Sequence, residues 1–124
     1  MAPITWTGTT ELPTATIAQL ARDGAPQGFN AISRRAGTIS WRSVPSQDGG
    51  VFDTFDAAVA WSARVEYKPG FGEDKGVCDI QVIDHGAHRE IEIGGAHSLR
   101  QRAMTKKLLS GILGAFKEAD PSLR

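Results

Sequence analysis

One cysteine in 124 residues, Cys78, leaves no partner for an intramolecular disulfide, so no disulfide framework holds this chain. Net charge is also missing. Fourteen basic residues balance fourteen acidic ones, which removes any general electrostatic attraction to nucleic acid. No window approaches the ~18 apolar residues of a membrane span, so no membrane partner is expected. The opening Met1-Ala2-Pro3-Ile4-Thr5-Trp6 has neither the basic start nor the apolar run of a secretory leader. A soluble cytoplasmic protein and an exported mature domain lacking its leader both fit that start. There is no Cys-x-x-Cys, no His-Glu-x-x-His helix, and no glycine-rich loop between a strand and a helix. Lys68-Pro69-Gly70-Phe71-Gly72 faintly echoes an RNA-recognition strand, but Pro69 breaks the strand at that point.

What is present is ordinary globular composition. Hydrophobic residues make up 40% and charged residues 23%, enough apolar surface for one α+β domain over residues 1–124 without metal or disulfide. Charge is uneven along the chain. Residues 45–95 hold ten of the acids, and residues 96–124 hold six basic residues against Glu118 and Asp120, so the two parts are expected to pack side by side.

Period-two alternation marks the strands. Ile4-Thr5-Trp6-Thr7 reads as a short strand that Gly8 ends. Residues 38–44 read as a second. The clearest runs from Ala57 to Lys68, with Val59, Trp61, Ala63, Val65 and Tyr67 on one face. Val77 to Ile83 and Arg89 to Ile93 form a hairpin. In it Cys78, Ile80, Val82, Ile91 and Ile93 point inward, and Asp79, Gln81, Glu90 and Glu92 outward. Gly94-Gly95 is expected to end the sheet.

Helical spacing appears twice. Ile17, Leu20 and Ala21 share a face of a helix near 13–22, with Thr16 and Gln19 as a capping box. Ser98 is placed to cap a long helix that runs to Ala119, where Met104, Leu108, Leu109, Ile112, Leu113, Ala115 and Phe116 cover half of the cylinder. Residues 24–37 fit no element, although Phe29 and Ile32 can pack. The order β-α-β-β-β-β-α predicts an antiparallel sheet of four to five strands with the C-terminal helix on one face.

The leading function is a small non-enzymatic binding or interaction domain. Its ligand is a small apolar molecule between sheet and helix, or a protein partner on the surface. Trp41, Trp61 and Tyr67 are the candidate ligand-binding residues, because large aromatics on neighbouring strands line such pockets as well as fill cores. Trp61, in mid-strand on the apolar face, is expected to be buried against the C-terminal helix.

The alternative is a transition-metal-binding protein or small metalloenzyme, with Zn or Cu held by His85, His88 and His97. These are all the histidines, and they fall within thirteen residues. Otherwise no cofactor is implied. A third possibility is a cofactor-free enzyme with acid–base groups at an aromatic pocket. Cys78, on an apolar strand face, reads as a small core side chain rather than a nucleophile.

The final helix holds one oddity. Ala103, Ser110, Gly111 and Gly114 line its outer face, where interior glycine costs up to ~1 kcal/mol relative to alanine. That cost predicts cover by another part of the chain or by a second copy, the latter making a homo-oligomer through this helix.

Overall fold

The computed structural model describes residues 4–43, 59–70, 74–95 and 99–123. Five strands form one fully antiparallel sheet: β1 (Ile4–Thr10), β2 (Thr38–Ser43), β3 (Val59–Lys68), β4 (Gly76–Asp84) and β5 (Arg89–Gly95). Their spatial order is β1-β5-β4-β3-β2. The chain enters at one edge, crosses to the other through α1 (Thr14–Gly24), a 3-10 turn (Ala25–Gly28) and α2 (Ala31–Ala36), then returns strand by strand. A short 3-10 segment (Leu99–Gln101) leads into α3 (Arg102–Ala119). This is the α+β architecture that the alternation predicts, with α3 packed on the sheet, mainly on β4.

The core lies between the sheet and the layer formed by α1 and α3. Strands supply Val65, Cys78, Ile80, Val82, Ile91 and Ile93. Helices supply Ile17, Ala21, Leu108, Ile112 and Phe116. The register agrees: Ile93 stands opposite both Trp6 and Ile80, and Cys78 opposite Val65. Each fully buried Leu, Ile or Phe contributes roughly 1.5–3 kcal/mol, which is why this one shared face fixes the strand registers.

Several expectations are corrected. β1 does not stop at Gly8 but pairs with β5 as far as Thr10, because Gly8 leaves room for the Trp6 indole to lie along the strand. Likewise β5 runs through Gly95, which pairs with Ile4 and Cys78. The β3 register slips between Val59 and Trp61, so Val59 stands opposite Ile83 and leaves the face that carries Trp61. Asp79 and Gln81, expected to face water, are buried, as are Val77 and Ile83. Every residue from Gly76 to Ile83 is therefore enclosed on the central strand. Trp61 is only half-buried, since α3 sits mainly over β4 and leaves Trp61 beside Trp41 of the edge strand.

The helix starts also differ. Pro13 is the N-cap of α1 and makes no side-chain cap, while Gln19 bonds Asp23 at 2.9 Å instead of closing a capping box. Ser98 and Val44 lie outside the described residues. Residues 24–37 are not irregular: the Asn30 side chain accepts from the Ser33 N–H at 2.8 Å and starts α2. Phe29 then tucks under Tyr67, whereas Ile32 projects outward, 78% exposed.

Candidate functional site: the groove between α1 and α3

Small residues set the distance between the helices. A Cβ on Gly111 would meet the carbonyl oxygen of Gly24 and lie 2.6 Å from the Gly28 nitrogen. One on Gly24 would meet the Ala115 methyl at 2.7 Å. Any larger side chain forces the α1 end and the 3-10 turn off α3. The glycine at 111 thus has the intramolecular cover that its helix cost predicts. Gly114, almost one turn on, differs: a methyl group there would have nothing within 4 Å and would face open space.

That uncovered stretch is one wall of a groove of about 770 Å³. Leu20, Gly24, Gly111, Gly114, Ala115 and Ala119 form its apolar lining, and Asp23, Gln27, Ser110 and Glu118 supply its polar groups. Among the described residues, the only charged lining groups are the two carboxylates. On the other side of Ser110 and Gly114 lies a second hollow, of about 440 Å³, with Leu109 and Leu113 between Lys106 and Lys117. The outer surface of α3 thus presents an acidic groove and a basic hollow along one line of small residues.

The aromatic candidates take up different positions. Tyr67 is buried in the core, stacked on Phe29 with ring centroids 4.0 Å apart, and its hydroxyl donates to the Ser33 carbonyl at 2.8 Å. Trp41 and Trp61 meet at 6.4 Å with their planes tilted by 31°, both half-buried against the core. The two tryptophans are therefore neighbours, and Tyr67 ties α2 to the sheet.

Of the histidines, His85 and His88 flank the β4–β5 turn, their rings stacked at 4.8 Å. His85 Nε2 lies 3.1 Å from a Glu90 carboxylate oxygen. His97 lies outside the described residues. Among the described residues, no three His, Cys, Asp or Glu side chains are grouped to hold a metal ion. Burial, reinforced by the neighbouring charge of Asp79, pushes the Cys78 thiol up to about 12 and keeps it protonated. That makes it a poor nucleophile.

Three polar arrangements were not apparent from the chain. Arg64 grips the buried Asp79 with two hydrogen bonds, at 2.6 and 2.9 Å. The Gln81 amide donates to Glu92 at 3.2 Å, while its buried Oε1 has no hydrogen-bond partner among the described residues. Arg89 donates to the carbonyls of Glu11, Leu12 and Gly86, binding the β4–β5 turn to the start of α1. The opposite-charge pair at directly facing positions, Arg64 and Asp79, was the one available signal for the first. The others depend on contacts that no local pattern encodes.

No helix among the described residues is long and apolar enough to cross a membrane. No family model matches the chain, and no curated protein or solved structure is significantly similar to it.

Proposed function

We propose that this protein is a non-enzymatic interaction domain whose binding surface is the groove between α1 and α3. The observation that carries this is the groove itself: an apolar floor mostly of small residues, open to the outside, with Asp23 and Glu118 as its only charges among the described residues. Such a floor admits an aliphatic side chain of a partner, and Asp23 and Glu118 attract a cation beside it. The space between sheet and helices, by contrast, is occupied by Ile17, Val65, Ile80, Leu108, Ile112 and Phe116, all fully buried. This favours a protein segment on the surface over a small apolar molecule inside.

The test is fluorescence anisotropy with a labelled amphipathic peptide that presents leucines flanked by arginines. Saturable binding to the wild type is expected, with loss in Gly114→Trp, which fills the groove from a position with free space. Binding that survives Gly114→Trp, or that is equal for a peptide with glutamates in place of the arginines, contradicts the proposal.

The alternative is a transition-metal site on His85, His88 and His97. It rests on His85 and His88, two imidazoles at one turn with ring centroids 4.8 Å apart. Calorimetric titration with Zn²⁺ and Cu²⁺ decides it: saturable binding lost in His88→Ala supports the site, and no saturable binding removes it.

A further inference from the structure

The molecule carries a knob of the chemistry that its own groove accepts. Ile32 on α2 is the large apolar side chain most exposed among the described residues, at 78%. Arg34 and Arg35 follow it closely in sequence, both exposed. Residues 25–43 contain Arg34, Arg35 and Arg42 and no carboxylate at all. The groove has the opposite character, an apolar floor with Asp23 and Glu118. Among the described residues neither Arg34, Arg35 nor Glu118 is in a salt bridge.

The basic side of α2 reaches the groove. Gln27 lines the groove, and its side-chain oxygen accepts from Arg34 at 3.4 Å. A two-fold axis can bring complementary patches of two copies together. Each copy then gives and receives the same contact, and the assembly closes at two.

Resting on the groove as the binding surface, we propose that its occupant is a second copy of this chain. Ile32 of each protomer seats in the α1–α3 groove of its partner, with Arg35 facing the acidic side at Glu118. The central aliphatic anchor and the flanking charge pairs divide the work: the first holds the complex, the second sets its orientation.

Sedimentation velocity over a wide concentration range tests this on the intact chain. The wild type is expected to dimerise reversibly. Ile32→Ser alters an exposed side chain and Gly114→Trp adds to open space, so both should fold, which circular dichroism checks. Each is expected to weaken the dimer roughly tenfold or more, the usual effect of losing an anchor residue. Charge exchange gives the sharper result. Arg35→Glu alone and Glu118→Arg alone should each be monomeric. An equimolar mixture of the two should form a heterodimer, because one charge pair is then native and the other is complementary with its signs reversed. A dimer indifferent to Ile32→Ser and Gly114→Trp, or variants that do not recover on mixing, overturns the proposal. A wild type that stays monomeric while the leucine–arginine peptide still binds overturns the second copy as occupant and leaves the groove as a binding surface. Loss of both removes both.

Discussion

Cys78 shows how enclosure on the central strand decides chemistry. Its thiol is buried, with Asp79 as its neighbour in sequence, and its pKa is raised to about 12. Native protein at about pH 8 should therefore resist iodoacetamide and react fully only when unfolded, as thiolate is the reactive form. Rapid labelling of the folded protein would show that β4 opens or that the thiol is activated. Asp79 itself depends on Arg64. Arg64→Ala leaves a buried carboxylate without its two hydrogen bonds, and a loss of roughly 3–5 kcal/mol is expected in urea unfolding. A near-neutral result would mean that water reaches Asp79.

Two surface carboxylates at one end of the sheet, Asp84 and Asp120, add a pH dependence. The Gly86 N–H, assisted by Arg89, holds the Asp84 carboxyl below the usual range. The hydroxyls of Ser122 and Thr10 do the same for Asp120, the Thr10 bond being 2.6 Å. A depressed folded-state pKa contributes stability above the unfolded value of about 3.9 and loses it as pH falls through the folded value. The urea midpoint of Asp120→Ala should therefore lie below wild type at neutral pH. The gap should close in acid, and a gap independent of pH would contradict the assignment.

At the scale of elements, two glycines on one helix separate packing from propensity. Gly111 is pressed against the 3-10 turn, so Gly111→Ala should destabilise by about 1–3 kcal/mol through overpacking. Gly114→Ala meets nothing and should stabilise by up to ~1 kcal/mol, because alanine is the better helix former. Thermal melts of the two single variants suffice, and equal signs would refute the helix crossing described. The strands were legible because one buried face imposes alternation, as at Ala63, Val65 and Tyr67. The slip at Val59 was not, since a single extra residue leaves the composition of the strand unchanged. The Asn30 cap was legible in principle from Asn30 alone, since its bond comes from the backbone N–H of residue 33, but α2 is only six residues long and offers no periodicity to confirm it. The groove was hidden in the chain because Gly24, Gly28 and Gly111 matter only where two distant segments meet. Only the cost of glycines inside a helix signalled that something covered them.

For the whole molecule, the sheet provides the platform and the helical layer the outer surface that holds the groove. α3 is fixed to the sheet on its apolar side, where the Thr105 hydroxyl accepts from the Val77 N–H at 3.1 Å. At its far end Asp120 is tied to Thr10, and Leu123 is buried. A helix anchored at both ends presents its outer face without yielding, and that favours recognition by a preformed groove. The amide chemical-shift map of the protein titrated with the leucine–arginine peptide tests this most directly. The account predicts shifts that cluster on Leu20, Gly24, Gly114 and Ala115, with β1 and the β4–β5 turn unchanged. Shifts centred on the sheet or on His85 and His88, with the α1–α3 groove unmoved, would contradict it.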